Sequence, residues 1–176
     1  MDFISSPAEV EKLADQKWEE NLHFRNWLRQ QPPQDVADVV DKIGREVAAA
    51  IDCTQCGNCC RALTIVPTSE DLKRLARGLE MDPYMFRRKY LKRDHEGDWV
   101  FQQRPCPFLK NSKCSVYEHR PGTCRSYPHL EKEHMAGRGW YILNNTRVCP
   151  IVYNVYEELK RYWKSRDVGR DKNPAL

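Results

Sequence analysis

The chain has 176 residues, with 29 basic and 25 acidic side chains and a formal net charge of +4. That length buries a real core as one domain, or as one domain with a helical extension, and the near balance of charge favours neither nucleic acid nor a membrane surface as partner. The longest apolar run, Val47–Ile51, is far too short to span a bilayer, and Met1-Asp2-Phe3-Ile4 lacks the basic start and apolar stretch of a signal peptide, so a soluble cytosolic protein is expected.

Ser6-Pro7-Ala8-Glu9 reads as a helix start, with a serine cap, proline at the first helical position and a glutamate completing a capping box. Val10, Ala14, Trp18 and Leu22 follow at four-residue intervals, with Trp27 and Leu28 beyond them, and Pro32-Pro33 stops this helix. Asp35 caps a second helix whose apolar face is Val36, Val39, Val40, Ile43, Val47, Ala50 and Ile51. These two form an N-terminal helical hairpin over residues 1–52 that runs directly into Cys53. The stripes are core positions and give no sign of a cofactor box.

Residues 53–60 hold four of the eight cysteines, Cys53, Cys56, Cys59 and Cys60. Packing does not explain such a cluster, since a buried cysteine acts as a small hydrophobe and normally stands alone. Cys53, Cys56 and Cys59 recur every third position, which lets their thiolates converge on one centre in a tight loop, and Gly57 permits the positive backbone angle such a wrap requires. Cys60, adjacent to Cys59, is expected to point elsewhere. Clustered cysteines in a cytosolic protein indicate metal or redox chemistry more than a disulfide scaffold.

Leu63–Val66 reads as a short strand ended by Pro67, and Thr68 or Ser69 caps a helix carrying Leu72, Leu75, Ala76 and Leu79. Asp82-Pro83 opens another helix with Phe86, Tyr90 and Leu91, whose exposed side carries Arg87, Arg88, Lys89, Lys92 and Arg93 as a solvated basic face. Residues 98–102 read as a strand, 104–128 as irregular chain with a turn at Lys110-Asn111-Ser112, and Trp140–Leu143 as a further strand. After Cys149-Pro150 a strong closing helix carries Val152, Val155, Tyr156, Leu159, Tyr162 and Trp163. The expected fold is mostly α, with an irregular Cys-rich metal-binding segment and few short strands. Residues 53–166 form the cysteine-cluster domain, closed by the last helix, and 167–176 form a tail, the whole making one compact unit.

Zinc sites usually draw four ligands from two Cys-x-x-Cys knuckles. Here Cys106, Cys114, Cys124 and Cys149 stand singly. A Cys-x-x-Cys-x-x-Cys run with a remote cysteine before proline is instead a ferredoxin habit, and both Cys106-Pro107 and Cys149-Pro150 offer that remote ligand. Eight thiolates make two four-ligand sites, or one site with spare thiols. Arg61, Lys113, Arg120 and Arg125 lie near cysteines and can offset thiolate charge. The histidines show no paired spacing; His119 and His129 are the nearest substitutes. No phosphate loop, nucleophile elbow or His-Glu-x-x-His helix is present.

Cys53-x-x-Cys56-Gly57-x-Cys59-Cys60, then Cys106-Pro107-Phe108-Leu109, then the run from Cys114 through Arg120-Pro121-Gly122-Thr123-Cys124-Arg125 to Pro128 resembles the CxxCxxCC cysteine-cluster family, also called YkgJ-type, of zinc- or iron-chelating proteins. The resemblance covers about residues 53–128. It implies metal ligation by Cys53, Cys56, Cys59, Cys60, Cys106, Cys114 and Cys124, while Cys149 is a candidate from its own spacing. Some family members are described as iron–sulfur proteins, and the flagellin lysine-N-methylases carry a similar pattern. The expected cofactor is an iron–sulfur cluster of the 4Fe-4S type, redox-active or structural and served by a redox or protein partner. A zinc-stabilised interaction domain is the alternative, and an enzyme acting on protein side chains is a third class, for which no S-adenosylmethionine signature is apparent.

Overall fold

The computed structural model describes residues 2–130 and 139–167. In chain order the N-terminal elements are α1 (Pro7–Gln16), α2 (Trp18–Leu28), α3 (Pro33–Ala50), α4 (Cys53–Cys56), α5 (Asn58–Ala62), α6 (Ser69–Gly78) and α7 (Pro83–Tyr90). There follow β1 (Leu91–Arg93), β2 (Trp99–Phe101), β3 (Leu109–Lys110), β4 (Lys113–Cys114), a 3-10 turn (Tyr117–His119), α8 (Gly122–Arg125), α9 (Gly139–Asn145) and α10 (Pro150–Asp167). The protein is mostly helical; among the described residues the strands form two antiparallel pairs, β1 with β2 and β3 with β4. No helix among the described residues is long and apolar enough to cross a membrane. The chain divides into two compact units, Met1–Cys53 with Pro128–Leu176 and Thr54–Tyr127.

The first unit is a helical assembly. Ser6 caps α1, its hydroxyl accepting from the Glu9 N–H at 3.4 Å, and Pro7 occupies the first turn as expected. The single helix expected from residue 7 to the prolines is broken at Lys17, whose backbone (φ −100°, ψ 15°) leaves the helical region. That break shifts the buried stripe by one residue, so Asn21, Phe24, Arg25 and Leu28 face inward in place of Trp18 and Leu22. The Phe24 ring meets Trp27 at 5.7 Å and Tyr156 at 5.3 Å. Buried Asn21 accepts at its carbonyl from the Tyr156 hydroxyl and at its side-chain oxygen from Lys160 Nζ, while its side-chain nitrogen finds no partner among the described residues. Pro33 begins α3 as well as ending the previous segment, so the expected Asp35 cap gives way to Pro32. The apolar face of α10 packs on α3 and also meets α1 and α9.

Residues 140–143 form no strand; they lie in α9, where Ile142, Leu143 and Asn145 are buried at helical spacing and the Asn145 amide donates to the Tyr141 carbonyl at 2.7 Å. A short apolar run does not distinguish a strand from a buried helical turn. The tail from residue 168 onward lies outside the described residues.

The second unit is built around an aromatic core. Thr68 and Asp71 close a capping box at the start of α6, and Asp82 caps α7 by accepting from the Tyr84 and Met85 N–H groups. Leu72, Leu75 and Ala76 from α6 pack with Phe86 from α7, Leu91 and Phe101 from the β1–β2 hairpin, and Phe108 and Val116. The strand expected at 98–102 is β2, paired with β1 in the register Leu91 to Phe101 and Arg93 to Trp99. Leu63–Val66, expected as a strand, forms none. Leu91, Lys92 and Arg93, expected on the helix, lie in β1, and the guanidinium groups of Arg87 on α7 and Arg93 on β1 both lie over Trp99.

Candidate metal centre

The first cysteine stretch is two short helical turns joined by a left-handed glycine. Gly57 has φ 61°, as the wrap requires, and a Cβ there would stand 2.6 Å from the Ser112 carbonyl oxygen and 3.2 Å from Leu109 Cδ1. Ser112 belongs to the turn joining β3 to β4, where Asn111 and Ser112 both have positive φ. The close approach therefore docks the Cys56–Cys60 stretch onto the hairpin that carries Cys114. Arg61 makes the same connection with its two guanidinium ends, donating to the Cys56 carbonyl at 2.8 Å and to Ser112 Oγ at 2.7 Å. Gly57→Ala combines a backbone strain of about 1–2 kcal/mol with an overlap against backbone that has little room to move. The denaturant midpoint of the metal-free variant should fall accordingly, and an unchanged midpoint would show that this approach is not obligatory.

Cys106 joins α5 through the backbone, its N–H donating to the Cys60 carbonyl at 2.8 Å. Cys106 and Cys114 then bracket Phe108: the Leu109 N–H donates to the Cys106 carbonyl at 3.0 Å, Ser115 N–H to the Phe108 carbonyl at 2.8 Å, and Leu109 pairs with Cys114. Both cysteines pack against the aromatic core. Cys124 sits in α8, whose entry is fixed by Asp71 of α6, one carboxylate oxygen accepting from the Gly122 N–H at 2.9 Å.

The charge of Cys60 reaches the thiols of Cys106, Cys114 and Cys124, although among the described residues no three cysteine sulfurs stand within 4.8 Å of one another. Burial, together with negative charge at Cys60 and Cys114, pushes the Cys106 thiol up to about 11. Burial, with Cys60, Cys106, Cys114 and Asp71 adding to it, pushes Cys124 up to about 12. Cys114 is raised as well, mainly by burial and then by Cys60, with the Arg120 charge opposing. Cys60 moves the other way, to about 7, because the Cys59 thiol hydrogen-bonds to it and the Arg61 charge assists against burial. The two adjacent thiols thus meet, contrary to the expected divergence of Cys60 from Cys59. Of the cations expected to offset thiolate charge, Arg61 and Arg120 do so here. Residues 54–127 carry fourteen basic and eight acidic side chains, a net +6 that suits a centre of several thiolates.

All eight cysteines are thiols. Cys56, Cys59, Cys60, Cys106, Cys114 and Cys124 belong to the second unit; Cys53, at the start of α4, and buried Cys149, just before α10, belong to the first. His119 packs so tightly on α6 that a Cβ at Gly78 would lie 2.2 Å from its ring. His129 is buried in the first unit with its ring 5.8 Å from Tyr141. Asp71 and Arg74 escaped the sequence reading, although Thr68-x-x-Asp71 has capping-box spacing and so marks a carboxylate held beside the backbone.

A donor set of soft thiolates, half-buried and flanked by arginines, suits zinc or iron and is poorly matched to magnesium or calcium. No curated protein and no solved structure matches the chain. The family model for CxxCxxCC, described as "Putative zinc- or iron-chelating domain", matches residues 52–150, more than half of the sequence. The chain therefore belongs to the CxxCxxCC family.

Proposed function

We propose that this protein holds an iron–sulfur cluster of the 4Fe-4S type through cysteine thiolates in its second unit, as a redox or structural centre. The observation that carries the reading is geometric: six cysteines lie in one unit, where the Cys106 N–H bonds to the Cys60 carbonyl and Gly57 packs against the hairpin that carries Cys114. Their irregular spacing after a Cys-x-x-Cys-x-x-Cys run favours cluster ligation over paired zinc knuckles. Cys53, Cys56, Cys59 and Cys149 are further candidate ligands by the same chemistry. The residues present do three things for such a group: they supply thiolates, set Arg61 and Arg120 against the accumulated negative charge, and back the ligand loop with an aromatic core. When bound, the cluster supplies one-electron chemistry or simply cross-links the loop. A cytosolic setting fits this reading, because thiols persist in a reducing compartment.

Zinc in a four-thiolate site is the second reading, favoured by the fact that four ligands complete a tetrahedron without sulfide. Anaerobic purification followed by iron, zinc and acid-labile sulfide analysis separates the two. Iron with equivalent sulfide and a brown colour supports the cluster; zinc without sulfide replaces it with the second reading. Replacing Cys56 by Ala should lower the content of whichever metal is found and loosen the second unit, since binding energy here is folding energy. Unchanged metal in that variant removes Cys56 from the ligand set.

A further inference from the structure

We infer that Asp71 is a positioning residue for the metal centre, a carboxylate that ties the start of α6 to the segment delivering Cys124. This rests on the reading of Cys124 as a ligand. Asp71 is 4% exposed, a rare place for a carboxylate unless every oxygen is engaged. One oxygen accepts from the Thr68 N–H at 3.0 Å and closes the capping box. The other accepts from the Gly122 N–H at 2.9 Å, across fifty-one positions of sequence, and from Arg74 Nη2 at 2.5 Å. The same Arg74 nitrogen donates to the Arg120 carbonyl at 3.0 Å, so Asp71 and Arg74 grip the Arg120–Gly122 turn from both sides. Cys124 lies two residues beyond Gly122 in α8, whose single turn closes through Arg125 N–H to the Pro121 carbonyl and Ser126 N–H to the Gly122 carbonyl.

A capping box needs only the bond to Thr68. Of the remaining bonds, the one from Arg74 stays within α6, while the Gly122 N–H bond to Asp71 and the bond from Arg74 to the Arg120 carbonyl leave the helix and end on the turn that delivers a candidate ligand. This is the arrangement by which an outer carboxylate orients a metal-binding group, and removing such a partner typically costs 10–100-fold in metal affinity.

The test compares metal-loaded proteins challenged with EDTA. Asp71→Asn keeps the size of the side chain but offers one acceptor where two are used, and strips Arg74 of its counter-charge. Gly122→Pro deletes the N–H that Asp71 holds; proline is accepted at a first helical position, and the extended backbone of Pro121 (ψ 151°) suits the residue before a proline. Thr68→Ala weakens the cap of α6 and leaves both carboxylate oxygens in place. Release should accelerate about tenfold or more in Asp71→Asn and Gly122→Pro and stay near the unmodified rate in Thr68→Ala. The thiolate charge-transfer band of the Co2+-loaded forms should weaken in the first two only. Unaltered release in Gly122→Pro, or equal acceleration in Thr68→Ala, overturns the positioning role, and Gly122→Pro decides the matter if Asp71→Asn does not fold. Full metal content in Cys124→Ala would instead remove the underlying ligand reading.

Discussion

Metal-free protein titrated with Zn2+ should bind roughly four decades more tightly for each unit of pH gained between about pH 5 and about pH 6, easing toward three decades above about pH 7. The thiols of Cys106 and Cys124, at about 11 and about 12, and of Cys114, also raised from an ordinary value of 9.0, are all protonated throughout that range. A thiol ligates as thiolate, so each of the three must release a proton, and release is favoured as protons become scarce. Cys60, at about 7, adds a fourth proton below that value and stops contributing one above it. The stability of the metal-free form should run the opposite way. Thiols whose folded values lie above the unfolded one contribute stability that is fully present below about pH 9 and is lost as pH rises through the folded values. Affinity therefore climbs with pH from about pH 5 to about pH 7, where apo stability is flat; Cys60, lowered to about 7, adds apo stability between about pH 7 and about pH 9, and the raised thiols remove it at higher pH. A slope under one decade per pH unit in the zinc titration would mean that most of these thiols are not ligands.

The helices that carry the site were legible wherever one apolar stripe met one cap. Thr68 before Leu72, Leu75 and Ala76 reads as α6, and Asp82-Pro83 before Phe86 reads as α7, because cap and stripe are local signals. The break at Lys17 was not legible, since the four-residue interval continues through Trp18 and only tertiary packing selects the shifted face of α2. A cysteine-rich metal-binding segment was legible at Cys53–Cys60 because the residues are adjacent. The approach of Cys106 to Cys60 and the anchoring of the segment that carries Cys124 were not, because they depend on one long-range bond from the Cys106 N–H to the Cys60 carbonyl and one from the Gly122 N–H to Asp71. The Asn111–Ser112 turn was anticipated, but its contact with Gly57 is a long-range approach that no local pattern records.

Phe108→Ala should leave the metal-free second unit largely unfolded and the metal-bound one folded. Phe108 is 5% exposed and stands between Cys106 and Cys114, with its ring 4.9 Å from Tyr90, 5.6 Å from Phe101 and 6.1 Å from Phe86. Truncating a buried phenylalanine costs about 3–5 kcal/mol, a large share of the roughly 5–15 kcal/mol that holds a typical domain. A metal present at about a thousand times its dissociation constant returns about 4 kcal/mol to the folded state, which is enough to offset the cavity. The aromatic core and the metal are thus two independent supports for one loop, and removing both should have an effect that neither removal has alone. Near-UV circular dichroism of the apo variant, before and after Zn2+ is added, reads this directly. A metal-free Phe108→Ala protein with the parent's near-UV signal and denaturant midpoint would mean that the ring does not hold the loop. A variant that stays unfolded with saturating metal would mean instead that the thiols cannot gather without the core beneath them.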